Sequence, residues 1–476
     1  MGARNSYDVV VIGSGPNGLA AAITLARRKL SVLVIEACDT IGGGMRSKKL
    51  TLPGFTHDVC STIHALGAVS PFFLTLPLSE CGLEWIEPEA PLAHPLEKEP
   101  AVLLERSLEK TAGALDGDGR AWRRIFKPVA GNWRRMAEDL LGPFTIPKHP
   151  VFFSRFGFHA IRSAAGLAHG AFKNKRAKAL FAGLASHSIL PLERPATAAV
   201  AIVLGALGHV AGWPVAKGGS QKLADALSIY LRSLGGEIQT GIEVRSLDEL
   251  PKAKAIFCDI TPRQLLQIAG NRLPERYRKR MERYRYGPGV FKIDFALSGP
   301  IPWEDPAVLR AATVHVGGTM EEIAAGEAAV WRGEHPEKPF VILAQTSLCD
   351  PTRAPTGKQT GWAYCHVPSG STVDMSGRII AQIERFAPGF KERILAAHTM
   401  TTKDFQEYNA NYIGGDIIGG VQDLGQLYTR PASLLNPYST PVPGLYLCSS
   451  STPPGGGVHG MCGVHAARAA LKQVFK

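Results

Sequence analysis

The chain has 476 residues, 45% of them hydrophobic and 20% charged, and its 53 basic and 41 acidic side chains give a formal net charge of +12. This length predicts a globular protein with more than one structural unit, and the charge favours an anionic partner: nucleic acid, a lipid surface or a phosphorylated cofactor. The eight cysteines include no C-x-x-C pair, which excludes a zinc ribbon, argues against a disulfide framework and indicates a reducing compartment.

Neither the N-terminal stretch nor the longest apolar run predicts a membrane-spanning or secreted protein. The N-terminus runs into an apolar strand within a few residues, which leaves no room for a signal peptide. Residues 195–216 are uncharged and long enough to span a bilayer, but they contain His209 and Pro214 and are rich in alanine and glycine. We expect a buried helix or cavity wall there, in a cytoplasmic protein with at most peripheral membrane contact.

The first motif is a strand followed by a glycine turn and a helix. The stretch YDVVVI predicts a buried parallel strand, and Gly13, Gly15 and Gly18 follow it in G-x-G-x-x-G spacing. These glycines suit a tight turn, close approach of a pyrophosphate to bare backbone, and close packing of helix on sheet. A second strand, SVLVIE, ends in Glu36, where a β-α-β unit places a carboxylate on ribose hydroxyls. The pattern predicts a dinucleotide site.

The loop after Glu36, ACDTIGGGMRS, narrows the choice of dinucleotide. Its residues 42–46 resemble the second glycine motif of FAD enzymes of the amine oxidase and phytoene desaturase superfamily. The resemblance implies that this loop and Arg46 approach the diphosphate and ribityl chain, which suits glycine backbone and a guanidinium fork. We therefore expect FAD as the cofactor. No second complete β-α-β fingerprint follows, so a dedicated NAD(P) domain is not expected.

Two later segments are similar to the same superfamily. After an amphipathic helix that starts near Gly219, a strand with Ile242 and Val244 is predicted, and the resemblance implies that the backbone of Val244 contacts adenine. Near the C-terminus, a predicted strand, glycine loop and helix follow one another, and residues 452–460 match the T-x-P-G-x-G-x-x-G loop of phytoene desaturase-like enzymes. Amides at the start of that helix, about residues 458–463, would face charge on a reduced flavin.

The motifs and the resemblance together imply a set of cofactor-binding residues. These are Gly13, Gly15, Pro16, Asn17, Gly18, Glu36, Ala37, Gly43, Gly44, Met45, Arg46, Val244, Ser449, Ser450, Gly457, Val458, His459 and Met461. His459 is also a weak candidate for proton transfer, because histidine titrates in the useful range. No metal is expected, since the spacing of His459, Cys462 and His465 cannot aim all three side chains at one point.

The similarity extends along nearly the whole chain, which is identified as a member of the phytoene desaturase-like NAD(P)/FAD-dependent oxidoreductases. That group includes carotenoid desaturases and isomerases, retinol saturases and the pyridine nucleotide-disulfide oxidoreductase domain 2 type. It implies an α/β fold in which an α+β substrate domain is inserted into a discontinuous Rossmann-like FAD-binding domain. The expected FAD-binding segments are residues 1–100, 215–285 and 412–476, and the expected substrate-domain segments are residues 101–214 and 286–411.

The implied function is FAD-dependent desaturation, saturation or isomerisation at C–C or C=C bonds of a hydrophobic, carotenoid-like or other isoprenoid substrate. A flavin amine oxidase and a non-catalytic FAD-binding assembly protein are the alternatives. No nucleic-acid partner is expected. Residues 149–187 mix phenylalanines with six basic residues and predict a helical hairpin that forms a solvated face over a core or, as the less favoured alternative, meets a membrane surface. Asp58, Cys60 and His64 are expected near the flavin, in structural roles or in contact with it or the substrate.

Overall fold

The computed structural model describes residues 6–427, 429–432 and 436–476. The strands in chain order are β1 (Ser6–Ile12), β2 (Val32–Ile35), β3 (Ser47–Lys48), β4 (His57–Asp58), β5 (Trp85–Ile86), β6 (Ala90–Leu96), β7 (Glu99–Leu104), β8 (Val215–Ala216), β9 (Glu237–Gln239), β10 (Lys252–Cys258), β11 (Gly289–Leu297), β12 (Ala311–Val316), β13 (Val341–Ala344), β14 (Gln359–Val367), β15 (Ile394–Met400) and β16 (Leu445–Leu447). The α-helices are α1 (Pro16–Ala26), α2 (Ala65–Ala68), α3 (Leu108–Gly113), α4 (Gly119–Ala130), α5 (Trp133–Leu140), α6 (Pro150–Ala160), α7 (Ala164–Ala171), α8 (Lys175–Ser186), α9 (Thr197–Ala211), α10 (Gln221–Ser233), α11 (Pro262–Ala269), α12 (Glu275–Glu282), α13 (Met320–Trp331), α14 (Ser376–Glu384), α15 (Thr402–Tyr408) and α16 (Met461–Gln473).

The first sheet is parallel and has the strand order β16-β10-β1-β2-β9. Strands β1 and β2 are joined through α1, and both are almost continuously apolar and buried, as expected of strands covered on both faces. Three separate parts of the chain, 6–35, 237–258 and 445–447, thus contribute to one sheet. The predicted α/β class, with a Rossmann-like parallel sheet, is confirmed.

The second sheet is mixed, with the order β15-β11-β14-β13-β12-β6-β7. Its residues alternate between two environments, because successive side chains of a strand point to opposite faces. In β14, Ala363 and Cys365 belong to a core that also contains Ile379 and Ile383 of α14, whereas Trp362 and Tyr364 line a cavity on the other face. One face of the sheet therefore packs in a hydrophobic core, and the other face is available to form a binding site.

Three sequence-based expectations about local structure differ from the observed fold. Strand β6 pairs with β12 and β7, so the second sheet begins by Ala90, within the segment 1–100 that was assigned to the FAD domain. Ile242 and Val244 lie beyond the end of β9, because Gly241 adopts φ +73° and turns the chain. The segment 149–187 forms three helices, α6, α7 and α8, rather than a hairpin.

The apolar run 195–216 forms helix α9, whose inner side is buried against α4 and α8. Within the described ranges, no helix combines the length and the apolar character needed to cross a bilayer.

The last helix, α16, packs directly on α1. An added Cβ at Gly463 would overlap the backbone carbonyl of Asn17, at the start of α1. The two helices therefore approach closely only because Gly463 has no side chain. Because the C-terminal loop directly precedes α16, this contact brings the loop close to the first glycine turn.

Replacing Gly463 with alanine is expected to destabilise the protein by about 3 kcal/mol, because backbone atoms of α1 or α16 must shift to admit a methyl group. Thermal or urea unfolding measures this effect. Gly157→Ala in α6 is the matched control, since a Cβ there meets nothing within 4 Å, and alanine should be neutral or stabilising. Equal stabilities of the two variants would contradict the proposed contact.

Candidate functional site

A cavity of about 1520 Å³ lies between the two sheets. Its lining includes the loops after β1, β2 and β10 and the loop between β16 and α16, all at the carboxyl ends of parallel strands. It also includes the cavity-facing side of β12, β13 and β14 and parts of α6 and α9. Ligands of open parallel sheets bind at the carboxyl ends of the strands. The cavity therefore joins a dinucleotide-type cradle to a second chamber.

The first glycine turn presents bare backbone to this cavity. Gly13 has φ +95°, a conformation that favours glycine. A Cβ on Gly15 would lie 2.5 Å from Oδ2 of Asp259, and a Cβ on Gly18 would overlap the carbonyl of Gly13. Gly18 is thus needed for helix packing, whereas Gly13 and Gly15 line the cavity at the N-terminus of α1. This geometry fits the roles predicted for the glycines, which are a tight turn, close approach of a pyrophosphate to the backbone, and close packing of helix on sheet.

Glu36 and Arg46 form a buried ion pair at the edge of the cradle. Nη2 of Arg46 lies 3.0 Å from Oε1 of Glu36, and its Nε donates to the carbonyl of Thr40 at 2.9 Å. The other Glu36 oxygen accepts hydrogen bonds from the amide (2.9 Å) and hydroxyl (2.5 Å) of Ser14. Arg46 therefore braces the second glycine loop against Glu36, and both side chains line the cavity.

The second glycine loop rests on the first. A Cβ on Gly43 would lie 3.0 Å from the Cα of Gly15, and one on Gly44 would lie 2.5 Å from the hydroxyl oxygen of Tyr412. Tyr408 donates its hydroxyl to the carbonyl of Gly43 at 2.7 Å. Tyr408 and Tyr412 line the cavity and come from the chain segment around α15. Sequence reasoning missed both tyrosines, because only the folded topology brings them to the loop.

The C-terminal loop is held by two buried ionisable groups. Asp416 accepts four backbone N–H groups, those of Gly287, Ile418, Gly419 and Gly420, at 2.8–3.1 Å. Arg430 donates to the carbonyl of Ser450 at 3.1 Å and to that of Gly420 at 3.2 Å. The glycine-rich segment 412–420 and the loop after β16 are thus fixed to each other.

His459 supports this loop through its ring. Its Nδ1 accepts the N–H of Met461 at 3.0 Å, and burial lowers the pKa of its imidazole to about 4. The ring is therefore neutral near pH 7. The Met461 amide, which was expected to face the cofactor, is occupied by this contact. Burial also raises the pKa of the Cys462 thiol to about 12, so this thiol is not poised to ionise.

Most of the predicted cofactor-binding residues line the cavity. Those that do are Gly13, Gly15, Pro16, Asn17, Glu36, Ala37, Gly43, Gly44, Arg46, Val244, Ser450, Gly457, Val458 and His459. Those outside the lining are Gly18, Met45, Ser449 and Met461, all of which are buried in packing or turn contacts. Residues of the first set therefore face the cavity, whereas residues of the second set are buried beneath it and hold the surrounding backbone in place.

The segment with Asp58, Cys60 and His64 is divided in the same way. Asp58 lies behind the lining, where it accepts hydrogen bonds from Ser47, Thr62, Ser220 and Arg353 at 2.6–3.0 Å. Cys60 and His64 line the cavity. Nε2 of His64 is 2.8 Å from the Ser220 hydroxyl, and burial lowers the pKa of His64 to about 4. Asp58 is therefore a structural group.

Asp259, immediately after β10, is a cavity residue that sequence reasoning missed. Its Oδ2 accepts the N–H of Gly18 at 2.9 Å, beneath the first glycine turn. Burial, together with the nearby Glu36, raises the pKa of this carboxyl group to about 7. A carboxyl group that is easily protonated thus lies where the turn faces a diphosphate. In the sequence, Asp259 merely follows a strand, with no motif to mark it.

The cradle fits a dinucleotide on its own geometry. Two glycine loops lie bare at the N-terminus of α1, an acidic residue ends β2, and Val244 lines the side beyond Glu36. A side chain on Gly15 would collide with Asp259 and one on Gly43 with the backbone of Gly15, so both loops keep their backbone bare. Among the described residues, no group of three His, Cys, Asp or Glu side chains could hold a metal ion.

Comparisons with known proteins agree with this geometry. Residues 11–73 match the family model of the NAD(P)-binding Rossmann-like domain. Pyridine nucleotide-disulfide oxidoreductase domain-containing protein 2 of Rattus norvegicus is 28% identical, over 99% of this chain and 94% of its own length. The neurosporene-forming phytoene desaturase of Rhodobacter capsulatus is 25% identical, over 95% of this chain and 91% of its own.

Solved structures share the fold over nearly the whole chain. An oxidoreductase from Methanosarcina mazei superposes with a TM-score of 0.65 at 15% identity and covers 98% of this chain and 99% of its own. Putrescine oxidase bound to putrescine gives 0.62 at 16% identity, with 99% of each chain covered. The second glycine loop and these relatives together assign FAD to the cradle. The chain is an FAD-type oxidoreductase that is similar to the pyridine nucleotide-disulfide oxidoreductase domain 2 proteins and to the phytoene desaturases.

Proposed function

We propose that this protein oxidises, reduces or isomerises C–C or C=C bonds of a hydrophobic substrate, with isoprenoids as the favoured class. The observation that carries the proposal is the continuity of the cavity from the glycine cradle into a largely apolar chamber. That chamber is lined by Phe153 and Phe156 of α6, by Val200 and Val203 of α9, and by Ile342 of β13. Bound FAD supplies the acceptance or donation of hydride.

The residues of this chain bind and orient rather than exchange protons at the cradle. The glycine turn and the N-terminus of α1 would receive the diphosphate, and Glu36, already fixed by Ser14 and Arg46, would receive a ribose. His459 is neutral and accepts a backbone N–H, which supports a positioning role for it. The apolar walls exclude water from the substrate.

The charge of the chamber wall supports the proposed reaction over amine oxidation. The carboxylates in the described lining are Glu36, Asp139, Glu243, Asp259 and Glu407, and none of them lies on β12, β13 or β14. An ammonium substrate bound against that sheet would meet no opposite charge from the lining. The sheet wall therefore favours an uncharged substrate.

The proposed function is tested by anaerobic spectroscopy of the FAD-loaded protein against polyenes, retinoids, unsaturated lipids and amines. We expect a polyene or another unsaturated apolar compound to bleach the flavin absorption, or to be desaturated or isomerised in the presence of an acceptor. Bleaching by amines alone would identify an amine oxidase. A flavin that no compound changes would instead support the non-catalytic assembly role.

We predict that FAD binding depends on pH through Asp259, whose carboxyl group lies beneath the glycine turn that would receive the diphosphate. Since its pKa is about 7, deprotonation above that value places a negative charge beside the diphosphate, and FAD affinity should fall by up to about tenfold per pH unit. Asp259→Asn should keep the contact with the Gly18 N–H and give a flat profile from pH 6 to pH 9. Flavin release measured by equilibrium dialysis provides the readout. A wild-type profile as flat as that of the variant would contradict this role.

The same group affects the stability of the FAD-free protein. The native pKa of Asp259 is raised above its unfolded value, so the native state binds more protons between about pH 4 and pH 7. The contribution of this carboxyl group to the free energy of unfolding is therefore present at low pH and is lost as the pH rises through 7. Asp259→Asn should remove that pH-dependent part in urea unfolding.

Peripheral membrane contact is a further proposal, carried by an apolar patch next to the chamber. The patch consists of Ile146, Val151, Phe158 and Ile161, which are 62–92% exposed, with the exposed Arg155 among them. Phe153 and Phe156 of the same helix line the cavity. Of the basic residues counted in the sequence, Lys175 and Arg176 are already paired with Glu99 and Asp116. The proposal therefore rests on the apolar patch more than on charge.

Co-sedimentation with vesicles containing anionic lipid tests this proposal. The double variant Ile146→Ser, Phe158→Ser should weaken binding roughly tenfold, because two apolar side chains no longer enter the bilayer. Leu395→Ser, an exposed leucine on β15, is the matched control and should bind like the wild type. A wild-type protein that leaves every vesicle unbound would remove the proposal.

A further inference from the structure

The chamber wall formed by the second sheet contains polar groups at regular positions. The strand register aligns Thr313 of β12 with Ala344 of β13 and Trp362 of β14, and all three line the cavity. The next row on the same face is His315, Ile342 and Tyr364. In each row, an apolar residue of β13, Ala344 or Ile342, thus lies between polar residues of β12 and β14. We call the group Thr313, His315, Trp362 and Tyr364, with His187, the polar wall.

Several polar atoms of this wall have no hydrogen-bond partner in the described part of the chain. They include Oγ1 of Thr313 and Nε1 of Trp362, whose residues line the cavity, and Nδ1 of His315, which lies behind the lining. Buried polar atoms without a partner are rare, because each costs about 1–3 kcal/mol. For a chamber that receives only a hydrocarbon, apolar side chains at these positions would avoid that cost.

A pair of imidazoles forms one end of the wall. His187, at the end of α8, is partly exposed and lines the cavity, and its Nε2 lies 2.9 Å from Nε2 of the fully buried His315. Gly183 of α8 leaves room for this ring, since a Cβ there would lie 2.6 Å from Nδ1 of His315. Trp213 packs against both rings, with centroids 5.8 and 5.9 Å away. The imidazole pair is thus built into the wall by its neighbours.

The wall is polar but uncharged. Burial lowers the pKa of His187 to about 3 and that of His315 well below its usual range, so both rings are neutral near pH 7. Two buried pairs lie beside the wall, Lys292 with Asp294 and His366 with Glu327, and none of these four side chains lines the cavity. A free carboxylate or ammonium group would therefore find no charged partner in the wall. A hydroxyl or carbonyl oxygen, by contrast, matches neutral donors and acceptors.

We propose that the polar wall is a subsite for a neutral oxygen substituent, so that the substrate is an alcohol, aldehyde or ketone with a long apolar body rather than a pure hydrocarbon. The inference rests on the proposed function, because it specifies the substrate class of the same cavity. His187 and Thr313 are the residues expected to contact the oxygen. The apolar residues of α6 and α9 would contact the rest of the molecule.

A matched set of fifteen-carbon ligands tests the subsite. The probes are farnesol, farnesal, farnesylamine, farnesoic acid and the hydrocarbon farnesene, and the FAD-loaded protein is titrated anaerobically while the flavin absorption reports binding. We expect farnesol or farnesal to bind roughly 3- to 10-fold more tightly than farnesene, as one or two neutral hydrogen bonds would give. Equal affinity for farnesene, or tightest binding of the acid or the amine, would overturn the proposal.

Variants of the polar wall test which residues cause the preference for an oxygenated ligand. Thr313→Val keeps the shape and should abolish the preference for the oxygenated ligand while leaving farnesene affinity unchanged, and His187→Phe should act in the same direction. Ile342→Val, in the same wall, is the control and should alter all five affinities alike. Loss of farnesol and farnesene affinity together in Thr313→Val would overturn the subsite. Failure of the proposed function is a separate outcome. In that case the ligands would change the flavin absorption on binding, but no compound would reduce the flavin or be converted.

Discussion

The turn between β1 and α1 has to keep its backbone bare, and three remote parts of the chain close around it. Asp259 lies beneath Gly15, Gly43 lies against it from the second loop, and α16 presses Gly463 onto the first turn of α1. Each approach is closer than a side chain would permit. The cofactor cradle is therefore complete only when segments from both ends and the middle of the chain have folded together.

Electrostatics follow from the same close packing. The charged groups near the cradle are paired, as in Glu36 with Arg46, or hold backbone amides, as Asp416 does. Asp259 and His459 also accept backbone N–H groups, and burial in addition moves the pKa of each towards the neutral form. An ionised group without a partner would be costly at this depth. The cradle thus leaves room for the negative charge of a diphosphate.

The cradle could be predicted from the sequence because its signals are local. Gly13, Gly15, Gly18 and Glu36 belong to one β-α-β unit whose spacing reflects its geometry. The second sheet gives no comparable signal, since β6 and β12 are more than two hundred residues apart and pair only in the fold. Asp259 and the tyrosines of the cradle are missed for the same reason. The residue type of His459 suggests a weak candidate for proton transfer, and only the fold shows the burial that lowers its pKa and favours a positioning role.

The apolar chamber and the polar wall make different contributions to recognition. Contacts with Phe153, Val203 and Ile342 strengthen binding in proportion to the area covered, but they do not fix where a long chain stops. A hydrogen bond to His187 or Thr313 has a direction and a length, so it can set the register of the substrate. Register matters because hydride transfer requires one particular carbon to lie next to the cofactor. A polar wall at one side of an apolar chamber therefore selects the bond that reacts, while the apolar surface supplies most of the affinity.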